Sequence, residues 1–325
     1  MNLQPLKPLT IMIGDCLQVL QRLPDRSVHC CVTSPPYWGL RDYKHRAQIG
    51  LENTPQEFVD RLIKVFREVR RVLRDDGTLW VIVGDSYTGR AGGAQGCNGQ
   101  VANRTAAKLN IRKQVNSKIV EGLKRKNLIG IPWRVAFGLQ TDGWYLREDI
   151  IWSKPNPMVE SVKDRCTRSH EHIFHLSKRE HYLHDPEAMK EKGVIPAGTL
   201  AAKGSPQRSN AQHVNSRPPE YRTYDGFRNR RSVWTVKTQP YPEAHFATYP
   251  PQLIKPCILA SCPVGGTVLD PFAGTGTTGL VALEFGRKAI LIELNPAYAD
   301  MAKRRCNVTP GLPLTSPKPP TQGPQ

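Results

Sequence analysis

Two short stretches hold residue types that can do chemistry. The first is Ser34-Pro35-Pro36-Tyr37, which follows the apolar run "SVHCCVT". Neither proline has an N–H to give a sheet ladder, and each locks its own φ, so the strand must end in a rigid corner. Such a corner is either a plain strand-terminating turn or a device that fixes a hydroxyl, a carbonyl and an aromatic ring relative to one another. The second stretch is "LDPFAGTGTTGLVALEFGRKAILIELN", residues 269–295. A strand ends at Asp270, Gly274 and Gly276 allow a tight turn, and a helix opens near Thr277. A second strand ends at Glu293. Small turn residues let a ligand approach the backbone closely. An acid at the tip of the second strand can accept hydrogen bonds from both hydroxyls of a ribose.

This pattern suits a nucleoside-bearing cofactor but not a phosphate. Thr277 and Thr278 stand where a phosphate-binding loop has Lys-Ser, and Asp-Pro-Phe precedes the turn, unlike a dinucleotide fingerprint. S-adenosylmethionine, which has a ribose and no phosphate, fits better than a dinucleotide.

The elements that must position these stretches alternate. "LTIMIGD" (9–15) reads as a strand, "CLQVLQRLP" (16–24) as a helix, and 27–34 as the strand that feeds the corner. In 54–77 the residues Phe58, Leu62, Val65, Phe66, Val69, Val72 and Leu73 recur at helical steps, and Gly77 is expected to end that helix. "TLWVIVGD" (78–85) reads as a buried strand. A helix is expected over 131–143 with Pro132 in its first turn. "WYLREDIIWSK" and "EHIFHLSK" read as two further strands, and a strand-helix-strand unit closes the series. Alternation of this kind argues for an α/β sheet. Residues 86–130 read as a long mobile loop and 186–239 as a variable insertion without helical or strand period. The tail 306–325, Pro-rich from residue 309, is expected to be disordered.

The chain has 325 residues and a formal net charge of +18. Most of that charge lies in two segments. Residues 86–130 hold nine Lys/Arg, Lys124, Arg125 and Lys126 among them, against the single acid Glu121. Residues 186–239 hold ten Lys/Arg against four acids, with Arg228, Arg230 and Arg231 clustered in "GFRNRRSVW". Concentration of charge in two segments favours a polyanionic partner over a merely soluble surface. Arginine both clamps phosphate and reads guanine. No apolar run approaches membrane-spanning length, and "MNLQPLKPLT" lacks the apolar core of a signal peptide. The eight cysteines form no CxxC and no zinc-finger spacing, so they read as reduced thiols of a cytoplasmic protein that binds no metal. Cys30 and Cys31 are adjacent in a strand, so only one of them can face a site. His172 and His175 are three apart and point to opposite faces, which argues against a shared metal.

"TSPPY" and "DPFAGTGTTG" together resemble motifs of the amino-methylating DNA methyltransferases. The order, corner before cofactor turn with a variable basic segment between, resembles the β group of that family. The likeness covers roughly residues 9–305 and includes "GDSY", the block from Gly130 to Lys178, and "HFATYPPQLIKPCI". It implies a Rossmann-like mixed sheet with helices on both faces and an inserted DNA-recognition region. The divisions would be 9–185 for the catalytic part, 186–239 for target recognition and 240–305 for the cofactor part. It implies S-adenosylmethionine as methyl donor, double-stranded DNA as substrate, and a cognate restriction endonuclease as a further partner. Ser34, Pro35, Pro36 and Tyr37 become catalytic candidates. Asp270, Pro271, Phe272, Gly274, Gly276, Thr277 and Asn295 become cofactor contacts, and Glu293 binds the ribose hydroxyls. Asp15 falls near the adenine, while His245, Phe246 and Thr248 fall near the methionine end. Ser at the first corner position goes mostly with cytosine-N4 transfer, and Asp or Asn there with adenine-N6, so an adenine enzyme is the alternative. RNA or protein acceptors, and a DNA-binding protein with an inactive fold, are less consistent with two intact motifs.

Overall fold

The structure is a computed structural model that describes residues 8–40, 45, 48–89, 120, 122–202, 221–239 and 248–307. The interior of the first basic segment, residues 203–220, His245, Phe246 and the tail from residue 308 therefore lie outside the described residues. The expected start of the tail at 306 is corrected: Cys306 is buried and ends the last helix, where it packs in the core. An eight-stranded sheet organises the molecule. Its strands are β1 (Leu9–Ile13), β2 (Val28–Thr33), β3 (Leu73–Val83), β4 (Tyr145–Ser153), β5 (His170–Ser177), β10 (Val233–Thr235), β11 (Thr267–Asp270) and β12 (Lys288–Glu293). They run in the order β1-β12-β11-β2-β3-β5-β4-β10. Only β5 is antiparallel to its neighbours. Helices α1 (Cys16–Leu20), α2 (Pro55–Val72) and α3 (Ile131–Thr141) pack on one face. Helices α4 (Pro251–Ser261), α5 (Thr277–Glu284) and α6 (Pro296–Cys306) pack on the other.

Strand alternation divides the core. On β3, Leu79, Val81 and Val83 join the cluster of α2, while Trp80 and Ile82 join that of α4. Cys31 and Cys30 split the same way, both fully buried.

Helix α2 begins at a capping box, in which the Thr54 hydroxyl accepts from the Glu57 N–H and the Glu57 carboxylate accepts from the Thr54 N–H. The expected end at Gly77 is corrected: the helix stops at Val72, and Leu73–Val83 is all strand. Tertiary pairing overrides the helical period here. The Ser27 N–H donates to the Val72 carbonyl at 2.8 Å, and Val28 pairs with Leu73, which pulls the chain into the sheet. Gly77 serves that strand instead. A Cβ there would lie 2.9 Å from the Arg74 carbonyl oxygen and 3.1 Å from that of His29.

The segment 186–239, expected to lack strand period, is corrected as well. It contributes β10 to the main sheet, parallel to β4 with Trp234 opposite Trp152. It also forms two small antiparallel pairs, β6 (Lys190–Lys192) with β9 (Phe227–Asn229), and β7 (Leu200–Ala202) with β8 (Tyr221–Thr223). Three-residue strands are too short to show a period in sequence.

From the central pair β11 and β2, the chain crosses over in opposite directions. The β2–α2–β3 crossover goes one way and β11–α5–β12 the other. A crevice must open beyond the carboxyl ends of two parallel strands whose connections diverge, and open α/β sheets bind ligands there.

Candidate active site

Ser34–Tyr37 follow β2 and residues 271–277 follow β11, so the diverging crossovers put both motifs at one opening. They line a single cavity of about 970 Å³. The corner is tied to the other motif from below. The Thr33 hydroxyl donates to Asp270 Oδ1 at 2.6 Å, both groups fully buried.

Beyond the corner, the Tyr37 ring lies against Gly84. A Cβ on that glycine would stand 2.8 Å from Tyr37 Cε2, so no larger residue fits without moving the ring. The Tyr37 hydroxyl donates to Glu171 Oε2 at 2.6 Å. The other oxygen of Glu171 is paired with Lys154 Nζ, and both side chains are largely buried. Lys154 in turn lies 4.3 Å above the Trp152 ring, a cation–π contact. Burial, the Glu171 charge and the hydrogen bond to it push the Tyr37 phenol well above its ordinary range, against opposing contributions from Ser34 and Arg168.

The acid that ends β11 does not reach the ligand space. Asp270 is fully buried and absent from the cavity wall, contrary to its expected contact with the cofactor. Its Oδ1 accepts from the Thr33 hydroxyl and the Phe272 N–H (3.0 Å). Its Oδ2 accepts from the hydroxyls of Tyr249 (2.9 Å) and Thr278 (2.7 Å). Four donors saturate a carboxylate. Asp270 thus joins β2, the turn, α5 and the segment before α4, and burial raises its pKa.

The two glycines also part company. Gly274 has φ +52°, and a Cβ built on it meets nothing within 4 Å, so it faces the cavity. Gly276 has φ +78°, and its Cβ would lie 2.8 Å from Ala302 Cβ. It lets α6 pack close and does not line the cavity.

Glu293 stands on the wall at the tip of β12. Its Oε2 accepts from the Gly274 N–H at 2.7 Å and its Oε1 from the Asn295 N–H at 2.9 Å. These bonds fix the carboxylate while leaving lone pairs for a ligand, and burial raises its pKa. Asp15 and Asn295 both reach the wall as helix N-caps, of α1 and α6. Pro271, Phe272, Thr277 and Thr248 also line the cavity. Phe272 packs edge-on to Phe66, and Thr277 Oγ1 accepts from Arg305 at 2.9 Å.

Among the described residues, five carboxylates (Asp15, Asp85, Glu160, Glu171 and Glu293) line this cavity against the cations Lys154 and Arg168 and the histidines His45 and His170. That balance suits a cationic sulfonium and disfavours a pyrophosphate. With open space at Gly274 and a fixed carboxylate at Glu293, the residues present fit S-adenosylmethionine.

The basic candidates lie away from the cavity wall. Lys124, Arg125 and Lys126 form an exposed turn anchored to β3's exit. The Thr88 hydroxyl donates to the Lys124 carbonyl at 2.6 Å, and Asp85 accepts the N–H groups of Gly130 and Ile131 at the start of α3. Lys126 Nζ pairs with Asp164 at 2.6 Å. Arg228 and Arg231 share Glu191 Oε1, at 2.9 and 3.1 Å, and Arg230 lies 5.2 Å over the Trp234 ring.

Trp38 is buried, lines the cavity next to the corner and donates to the Glu52 carbonyl at 3.1 Å. His172 meets Asp149 on one face of β5, while His175 stacks on Trp80 on the other. Sequence reasoning missed Glu171, Lys154, Asp85 and Tyr249. All four lie inside the blocks that carry the resemblance, "GDSY", Gly130 to Lys178 and "HFATYPPQLIKPCI", but no local pattern singles them out within those blocks.

Comparisons with known proteins agree with this geometry. Residues 28–304 match the N6/N4 DNA methylase family. The chain is 50% identical to the Type II methyltransferase M.Cfr9I of Citrobacter freundii, over 91% of this chain and 87% of that protein. It is 48% identical to M.XycI of Xanthomonas campestris pv. cyanopsidis (92% and 88%) and 45% identical to M.SmaI of Serratia marcescens (92% and 91%), both also Type II methyltransferases. Among solved structures, the PvuII DNA methyltransferase (cytosine-N4-specific) superposes with a TM-score of 0.60 at 20% identity, covering 93% of this chain and 90% of that one. A DNA modification methylase of Thermus thermophilus, solved with S-adenosyl-L-methionine, gives 0.56 at 24% identity, with 91% and 92% covered. The fold is that of the methyl-transferring α/β enzymes. The chain belongs to the N6/N4 DNA methylase family, whose methyl donor is S-adenosylmethionine.

Proposed function

We propose that the chain methylates the N4 amino group of cytosine at a specific site in duplex DNA, by direct transfer to an extruded base. The observation that carries this reading is the shared cavity, in which the Ser34 corner and the Glu293–Gly274 turn face one space. Bound there, S-adenosylmethionine supplies an electrophilic methyl group. Glu293 accepts the ribose hydroxyls, the backbone at Gly274 permits close approach, and the five carboxylates favour the positive charge.

An exocyclic amino nitrogen is a poor nucleophile because its lone pair is delocalised into the ring. The Ser34 hydroxyl oxygen and the Pro35 carbonyl accept hydrogen bonds from the amino hydrogens as the nitrogen becomes tetrahedral. The amino nitrogen then attacks the methyl carbon, the bond to sulfur breaks with its electrons, and an amino proton leaves to water. The proline pair keeps both acceptors in place, so rate enhancement comes from positioning. Tyr37 gives the extruded base a face for stacking. Neither Cys30 nor Cys31 takes part: both are fully buried, and contact with Cys262 together with burial drives the Cys30 thiol, and burial the Cys31 thiol, well above the ordinary range. Cys16 lines the cavity, and burial pushes its thiol up to about 12.

Ser at the first corner position supports cytosine over adenine. The segments that hold Lys124–Lys126 and Arg228–Arg231 act on the duplex, mainly through phosphates, with target recognition in 186–239. The reading extends to cytoplasmic action within a restriction-modification system, beside an endonuclease of the same target. Mass spectrometry of nucleosides from DNA of expressing cells, with sequencing of the modified positions, tests it. N4-methylcytosine at one recurring sequence is the expected product, and N6-methyladenine would overturn the base assignment.

A further inference from the structure

The loop between β4 and β5 carries two side chains that the reaction above does not use. Met158 and Val159 are 82% and 81% exposed, and both line the mouth of the cavity. Single exposed apolar residues are ordinary on a protein surface. Two in succession at the rim of a site, on a braced loop, are a different matter.

Pro155 and Pro157 fix φ on either side of Asn156. The Asn156 side chain exchanges two hydrogen bonds with Thr238, donating to its carbonyl at 3.2 Å and accepting from its N–H at 3.0 Å. On the far side, Glu160 accepts from Arg165 at 2.6 Å, and Arg165 lies 4.2 Å over the Tyr87 ring. The loop therefore holds Met158 and Val159 outward from both ends. Exposed Lys163 follows Val159 on the same loop, and exposed Lys237 adjoins Thr238, which holds Asn156.

We propose that Met158 and Val159 form a wedge that enters the DNA stack where the target base leaves it, with Lys163 and Lys237 on the flanking phosphates. The inference rests on the reading that the base is extruded into the Ser34 corner. A base that turns into the cavity leaves an apolar gap between its former neighbours, at the cavity mouth. Apolar side chains, Met among them, insert between base steps in other DNA complexes. The acids of this loop, Glu160 and Asp164, are each paired with a cation, Arg165 and Lys126, so Lys163 and Lys237 add basic charge for the backbone while Met158 and Val159 meet the bases.

The test uses the full chain and a double variant, Met158→Ala with Val159→Ala. Both side chains point into solvent, so the thermal midpoint and S-adenosylmethionine affinity should match the parent. Two duplexes serve as probes, one with the target sequence mapped from modified cellular DNA and one with the target base mispaired. A mispaired base is cheaper to extrude. The single-turnover rate on the matched duplex should fall at least tenfold, while the rate on the mispaired duplex stays within twofold of the parent. A fluorescent base analogue at the target position should brighten less when the variant binds. Equal losses on both duplexes, or no loss on either, overturn the wedge. A parent enzyme that neither brightens the analogue nor favours the mispaired duplex overturns base extrusion itself, and the wedge with it.

Discussion

The Tyr37 hydroxyl donates to Glu171 across 134 residues of sequence, at 2.6 Å. The bond fixes the ring that lines the cavity beside Ser34, and the raised phenol pKa keeps the donor protonated at neutral pH. Ring and hydroxyl should then fail separately. Tyr37→Ala removes a stacking face worth about 1–3 kcal/mol per base, so it should weaken capture of the target base as well as slow transfer. Tyr37→Phe keeps the face and should retain most activity. Glu171→Gln keeps an acceptor for Tyr37 but leaves Lys154 without its counter-charge, and should reduce the single-turnover rate about tenfold (~1.4 kcal/mol). Equal rates for Tyr37→Phe and Tyr37→Ala would show that the ring face contributes nothing.

Ser34→Ala leaves the Tyr37 face and the Pro35 carbonyl in place. Single-turnover methylation should slow with little change in DNA or cofactor affinity, the mark of an interaction made mainly in the transition state. A variant as fast as the parent removes Ser34 from the mechanism.

Asp270 and Glu293 end adjacent strands but should behave differently. Asp270→Ala leaves the Thr33 hydroxyl and the Phe272 N–H without their acceptor, while Thr278 keeps the Val32 carbonyl and Tyr249 keeps Thr278, and urea unfolding without cofactor should show a loss of about 3 kcal/mol. Glu293→Ala should instead weaken S-adenosylmethionine binding by about 1–3 kcal/mol in calorimetric titration, through two hydrogen bonds to the ribose. A fully stable Asp270→Ala protein with weakened cofactor binding would reverse this assignment.

His175 is buried in a stack on Trp80, with ring centroids 3.9 Å apart, and Nε2 has no hydrogen-bond partner among the described residues. Burial, helped by His184 and Arg147, lowers its pKa from 6.5 to about 3. The unfolded chain therefore takes up a proton below pH 6.5 that the folded chain refuses until about pH 3. This group's contribution is complete above pH 6.5 and is lost at about 1.4 kcal/mol per pH unit as pH falls between those values. His175→Phe keeps the stack and removes the proton, so it should flatten the acid limb of stability measured by urea unfolding at pH 7 and pH 4.5. An unchanged acid limb rules His175 out as its source.

Non-specific DNA binding should fall steeply with salt. Each phosphate contact contributes roughly −0.9 to the slope of log affinity against log salt concentration. Neutralising Lys124 and Arg125 should flatten the slope, and Lys126→Gln should add less, because Lys126 already pairs with Asp164. A slope identical to the parent's would mean that this turn does not touch the duplex.

Much of the site was legible in the sequence because its determinants are local. Two prolines end a strand wherever it lies, glycines permit a tight turn, and the period of Phe58, Leu62, Phe66 and Val69 marks the helix that backs the sheet. Those features also carried the family resemblance, and the described sheet and helices agree with it. What local chemistry could not decide was direction and distant partnership. An acid at a strand end can face the ligand or the core. Thr33, Tyr249 and Thr278 turned Asp270 inward, while the N–H groups of Gly274 and Asn295 held Glu293 at the wall. Gly274 and Gly276 look alike in sequence, yet one faces open space and the other the Cβ of Ala302. Leu73 continued a helical stripe until pairing with Val28 made it strand. Glu171 and Lys154 became part of the site only because β5 and β4 lie beside β3 in the sheet. A strand's neighbours are set by how the whole chain buries its two apolar faces, and no window of sequence contains that information.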